Sequence, residues 1–152
     1  MEEKFEFFPV DDLTDGIICL RLNEARQGDP ERGFVPGYRL DICTVDGTKV
    51  GTCDLRVGHT KGLYYGGNIG YCVDEEYRGH GYAAKACKLM FRLAARHDMG
   101  YLYITCDPSN AASAATCRNA GASYIETVDL PPDNDMYLRG KRQVMVFQVT
   151  LS

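Results

Sequence analysis

The sequence predicts a mixed α/β fold: a largely antiparallel sheet covered by helices, with one parallel β-α-β unit in its middle. Three observations carry this prediction. Short runs of alternating apolar and polar residues recur along the chain, as half-buried strands do. Asp46-Gly47 sits between two of them and is a strong hairpin signal. Between two further strand-like runs, the stretch after Gly81 repeats at helical period.

In order, "GIICLRLN" gives a first strand near Ile17 to Asn23, and "EARQGDPERGFVPG" reads as a short helix or loop. "YRLDICTV" and "TKVGTCDLRVG" form a hairpin about a two-residue Asp46-Gly47 turn. "HTKGLYYGG" is a loop, and "NIGYCV" is the next strand. In the helix that follows, Lys85, Lys88, Arg92 and Arg96 share one face. Ala83, Ala86, Cys87, Met90, Leu93 and Ala94 share the other. "HDMG" closes this helix, with Gly100 as its expected left-handed cap. "YLYITC" is a strand, "DPSNAASAATCRNAG" a second helix, and "ASYIETVDL" a strand. "PPDNDMYLRGKR" is a loop and "QVMVFQVTL" the last strand.

Composition narrows the function classes. The 152 residues are 45% apolar, which suits one domain spanning residues 1–152 with a real core. A net charge of -4 argues against bulk nucleic-acid binding, which relies on clustered Lys and Arg. No apolar run is long enough for a membrane helix. The acidic start "MEEKFEFFPVDD" lacks the basic opening of a signal peptide, so a cytoplasmic location is expected. Seven cysteines with no CxxC pair indicate neither a zinc site nor a disulfide framework, and most sit among apolar neighbours as small buried hydrophobes.

The run "VDEEYRGHGYA" carries the functional signal: a strand meets Arg78, Gly79, His80 and Gly81, and a helix starts at once. A helix N-terminus offers unpaired N–H groups and partial positive charge, and glycines let an anion approach the backbone. The amides of Gly79, His80, Gly81, Tyr82 and Ala83 would wrap a pyrophosphate, with Arg78 adding charge. A plain tight turn is the alternative reading of the same residues. Neither a P-loop nor a G-x-G-x-x-G fingerprint is present.

"RGHGYA" resembles the R/Q-x-x-G-x-G/A signature of the GNAT superfamily of N-acetyltransferases, and the likeness extends over about Gly51 to Thr127. It is similar above all to the branch containing the ribosomal-protein N-terminal acetyltransferases. The resemblance implies a twisted, mostly antiparallel sheet of about six to seven strands. It also implies acetyl-CoA as co-substrate, an amine acceptor and a possible homodimer; from charge and apolar runs, no nucleic acid or membrane partner is expected. The loop would cradle the pyrophosphate of acetyl-CoA. The backbone of Tyr71, Cys72 and Val73 would pair with the pantetheine arm, and Asn110 and Ser113 would contact that arm.

Two positions depart from the family pattern. Many relatives place a Glu near Asn68 as base, and a Tyr seven residues after the Asn, here Cys117, as acid. Asn68 then serves only to hold a water, and Cys117 is either the acid or a small core residue. Tyr71 and Asp54 are the other catalytic candidates. Asp54 shares a strand face with Thr52 and Arg56, so a structural Asp54–Arg56 pair is its alternative reading. Phe34, Tyr38, Asp135 and Tyr137 are the candidate acceptor-binding residues, and a small-molecule amine is preferred over a protein N-terminus or lysine. The two departures also motivate a rival reading, a non-catalytic acyl-CoA-binding or sensing module. No metal site is expected.

Overall fold

The computed structural model describes residues 4–151. Seven strands form one sheet: β1 (Ile18–Arg26), β2 (Gly37–Thr44), β3 (Lys49–Arg56), β4 (Ile69–Val73), β5 (Tyr101–Cys106), β6 (Ser123–Asp129) and β7 (Gln143–Thr150). Their spatial order is β1-β2-β3-β4-β5-β7-β6. Every neighbouring pair is antiparallel except β4 and β5. The helices are α1 (Lys61–Gly66), α2 (Tyr82–Arg96), α3 (Ala111–Asn119) and α4 (Asp135–Leu138). The crossover from β4 to β5 through α2 is the predicted parallel unit.

The core lies between the sheet and the pair α2 and α3. Ala86, Cys87, Leu89, Met90, Leu93 and Ala94 of α2 are buried against Leu40, Leu55, Ile69, Ile104 and Phe147. The cationic face of α2 is more than a solvated surface. Arg96 pairs with Asp12, Lys85 approaches Asp15 at 3.8 Å, and Arg92 donates to the Thr14 carbonyl at 3.3 Å. These contacts tie the segment before β1 onto the helix. On the other sheet face, α1 and α4 cover a smaller cluster of Leu130, Val144 and Val146, with Tyr64, Tyr103 and Tyr137 packed on it.

Several boundaries differ from the sequence reading. β1 runs on to Arg26, because Glu24, Ala25 and Arg26 pair with Arg39, Tyr38 and Gly37 after a bulge. Four residues, Val45 to Thr48, join β2 and β3 rather than two: Gly47 N–H donates to Thr44 O, and Gly47 takes the left-handed conformation at φ 95°. α1 forms inside the expected loop "HTKGLYYGG", where Thr60 accepts from the Leu63 amide. Its glycines argue against helix, but burial of Leu63 and an edge-on Tyr64–Tyr103 contact outweigh them. α4 forms within the expected loop 131–142, capped by Asn134. The left-handed residue after α2 is Asp98, at φ 58°, not Gly100. A short acid tolerates that region better than most side chains do. Of the seven cysteines, five are buried, Cys19 is half-buried and Cys72 is exposed. No helix among the described residues is long and apolar enough to cross a membrane.

Candidate active site

β4 and β5 touch at a single register pair, Ile69 with Ile104, and then part. The Asp74 amide bonds to Val50 of β3, so by ladder alternation Tyr71 and Val73 turn their backbone groups toward the gap. The Val73 carbonyl takes its hydrogen bond from Arg78 Nε, at 3.0 Å, rather than from a strand. Gly79 and Gly81 follow in left-handed conformation, at φ 92° and 74°. Gly81 is the N-cap of α2 and brings no side chain to satisfy the first helical amides. The result is a groove of about 420 Å³ whose walls include Tyr71, Cys72, Val73, Arg78, Gly79, Gly81, Tyr82 and Ala83. His80 is outside this wall; its ring stacks on Tyr82, with centroids 5.2 Å apart.

The opposite wall comes from α3. Asn110 caps that helix by accepting from the Ser113 amide at 3.0 Å. Asn110 and Ser113 both line the groove, joined by Thr116 and Asn119, which the sequence reading did not single out. Thr116 stands three residues beyond Ser113, so helical spacing alone would have found it.

Tyr71 reaches across to this wall. Its hydroxyl lies 2.6 Å from Ser113 Oγ, 3.2 Å from the Ser113 carbonyl and 3.9 Å from Cys117 Sγ. Burial raises the pKa of the Tyr71 hydroxyl, so it stays protonated through neutral pH. Cys117 is fully buried, and burial pushes its thiol up to about 11. Cys117 is therefore a core residue behind Tyr71, and of the two it is Tyr71 that lines the groove.

Asn68 also departs from its expected role. It is fully buried, and its side chain is spent on backbone. Nδ2 donates to the carbonyls of Arg56 and Gly58, at 3.0 and 2.9 Å, while Oδ1 accepts from the Tyr103 amide at 2.9 Å. Asn68 brackets β3, β4 and β5 at the point where the gap opens, and it has no polar atom left for a catalytic water. A polar side chain at the base of a parting pair of strands satisfies groups that a continuous ladder would have paired.

On the other sheet face a carboxylate comes from β3. Asp54 is the register partner of Gly70 on β4. A Cβ placed on Gly70 would meet Asp54 Oδ1 at 2.6 Å and Arg56 Nη2 at 3.6 Å. The missing side chain of Gly70 thus makes room for the Asp54 carboxylate to lie over β4. Arg56 holds it there, 2.9 Å away, and donates to the carbonyls of Gly66 and Gly67 at 3.3 and 2.8 Å. The two side chains are 37% and 39% exposed, so as a stability device the pair contributes little. Its consequence is the position of the carboxylate.

Asp54 and Arg56 also wall a second cavity of about 920 Å³, with Phe34, Arg39 and Asp135. Of the four candidate acceptor residues, Phe34, Tyr38 and Asp135 line this cavity and Tyr137 does not. The Tyr38 side chain is nevertheless engaged within the fold. Tyr38 is 1% exposed; its hydroxyl accepts from the Phe8 amide at 2.8 Å and is hydrogen-bonded to His97 Nε2, 2.6 Å away. Burial lowers the His97 pKa, which favours the neutral ring. The Tyr137 ring packs in the smaller cluster under the Arg142 guanidinium, 4.0 Å from its centroid.

The family described as the acetyltransferase (GNAT) domain matches residues 8–123. A comparison with curated proteins finds no match. Among solved structures, the chain is similar to RimL, a ribosomal L7/L12 alpha-N-protein acetyltransferase in complex with coenzyme A. That alignment has 16% identity and a TM-score of 0.64, and covers 96% of this chain and 98% of RimL. It is similar to an acetyltransferase from Salmonella typhimurium that modifies the N-terminal serine of ribosomal protein L7/L12. There the identity is 18%, the TM-score 0.59, and the coverage 80% and 67%. It is also similar to the microcin C7 self-immunity acetyltransferase MccE in complex with acetyl-CoA and AMP, at 17% identity, TM-score 0.60, and coverage of 76% and 61%. The chain spans 61 to 65% of the length of several such neighbours. At these identities the likeness establishes the fold.

Proposed function

This chain belongs to the acetyltransferase (GNAT) domain family, and from that premise we propose that it transfers the acetyl group of acetyl-CoA directly to a primary amine of a small molecule. The observation that carries the reading is the parting of β4 and β5 beyond Ile69–Ile104, immediately before a loop with two left-handed glycines at a helix N-terminus. An extended pantetheine arm fits a gap whose strand edge is unpaired. A pyrophosphate fits amides that no capping side chain satisfies. Arg78, Gly79, Gly81, Tyr82 and Ala83 would hold the phosphates, while Val73, Asn110 and Ser113 would line the arm.

The chemistry follows from what flanks the gap. Gly70 and Tyr71 are successive on β4 and so present to opposite faces. Asp54, lying over Gly70, orients the amine for attack on the thioester carbon. As the C–N bond forms, charge develops on the carbonyl oxygen, and the gap-facing amides of Tyr71 and Val73 are the donors for it. The nitrogen gives its proton to Asp54. The C–S bond breaks, and the departing sulfur takes a proton from the Tyr71 hydroxyl; Asp54 then releases its proton to solvent and the Tyr71 phenolate regains one from it. Ser113, hydrogen-bonded to that hydroxyl, orients it. In this reading a base and an acid are both present, although Asn68 and Cys117 supply neither, and this favours transfer over a sensing module.

The test is a thiol-release assay with saturating acetyl-CoA and a panel of primary amines. Amine-dependent release of coenzyme A is the expected result. Acetyl-CoA binding with no release from any amine would overturn the catalytic reading in favour of the sensor.

A further inference from the structure

Arg39 and Asp54, which line the second cavity, belong to one row across the sheet. The register pairs place Glu24, Arg39, Asp54 and Gly70 side by side on β1, β2, β3 and β4. This row of alternating charge ends at the gap between β4 and β5. Its members are not equally engaged. Arg26, in the same cavity, pairs with Glu24 at 3.0 Å, and Arg56 pairs with Asp54. Among the described residues, Arg39 is the one cavity arginine with no ion-pair partner, and it is exposed. The remaining carboxylates of the cavity lie outside the row: Asp29 follows β1, and Asp135 is the first residue of α4.

Building on the acetyl-transfer reading, we propose that the acceptor is a small α-amino acid whose carboxylate is held by Arg39 while its amine meets Asp54. Side chains opposite one another on neighbouring strands start about 4.5–5.5 Å apart. An amine and a carboxylate separated by one carbon, each in a hydrogen bond, bridge such a pair. An arginine fork engages a carboxylate through two parallel bonds, which selects for that group over a neutral one. A simple polyamine offers nothing for Arg39 and places a second cation beside it. This assignment replaces attraction of a bare cation with recognition of a zwitterion.

The experiment compares three matched acceptors with acetyl-CoA: L-phenylalanine, phenylalanine amide and phenethylamine, with a second set built on L-lysine. For the wild-type chain, kcat/KM for the free acid should exceed that for the amide and the amine by about tenfold or more, the scale of one charged hydrogen-bonding partner. In Arg39→Gln the ratio of acid to amine should collapse toward one, with the loss in KM, and Arg39→Lys should restore part of it. An unchanged melting-temperature rise with acetyl-CoA shows that the variants are folded. Equal use of amide and acid, or a variant that lowers acid and amine alike, overturns the assignment to Arg39 while leaving acetyl transfer standing. Release from no amine at all overturns the transfer reading and this proposal with it.

Discussion

Replacing Gly81 with valine should weaken acetyl-CoA binding by at least about tenfold, equivalent to ~1.4 kcal/mol, as read by calorimetric titration. Gly81 sits at φ 74°, a region that costs an L-residue roughly 1–2 kcal/mol and a β-branched one more. A Cβ there meets no protein atom within 4 Å, so the new side chain projects into open space in the groove. That space is where the anion must approach the amides of Tyr82 and Ala83. The variant either keeps the loop and blocks the anion, or relaxes the loop and turns the amides away. Both routes lower affinity, and the melting temperature without ligand reads the backbone strain separately. An unchanged affinity would return the loop to being a plain turn.

Asp54→Asn and Gly70→Ala should each lower kcat by about 10²-fold or more, within the usual range for loss of a positioned base. The KM for acetyl-CoA should stay near its wild-type value, because neither residue lines the coenzyme groove. The two substitutions fail for different reasons. Asn in place of Asp54 keeps the shape and removes the proton acceptor. Alanine at Gly70 leaves the carboxylate intact and pushes it off β4, because the added carbon lies 2.6 Å from Oδ1. Steady-state kinetics on one amine, with melting temperatures beside them, separates these effects from misfolding. Wild-type turnover in Asp54→Asn would remove Asp54 from the chemistry. A loss in Asp54→Asn without one in Gly70→Ala would mean that the carboxylate acts from somewhere other than above β4.

The contrast between what could and could not be read from the chain has physical causes. α2 was legible because a long amphipathic period needs no knowledge of partners: its apolar stripe is what buries. The phosphate loop was legible because two glycines at a helix start leave few other uses, and Asn110 announced its helix as a cap does. Strand parity was sound where it concerned one strand, so Thr52, Asp54 and Arg56 do share a face. What a single sequence cannot supply is register between strands. Gly70 looked like an unremarked small residue, and only its pairing with Asp54 gives it meaning. The Tyr71 hydroxyl meets Ser113, 42 positions away, and so occupies the neighbourhood of Cys117 from a different element. Asn68 and Tyr38 misled for a related reason. Polar groups attract functional readings, yet both are buried and consumed by the hydrogen bonds of the fold. α1 stayed hidden because burial overrode the poor helix propensity of its glycines.

A site for acetyl-CoA, formed by the gap and the loop together, differs from a site for phosphates alone in what ADP leaves unfilled. The most direct measurement is the melting temperature of the chain with equal concentrations of acetyl-CoA, coenzyme A and ADP. A ligand that binds only the folded state must raise it by mass action. The structure predicts a clear rise with both coenzyme species and a much smaller one with ADP, since ADP reaches the loop but leaves the gap between β4 and β5 empty. An ADP shift as large as that of acetyl-CoA, or no shift with any of the three, would contradict it.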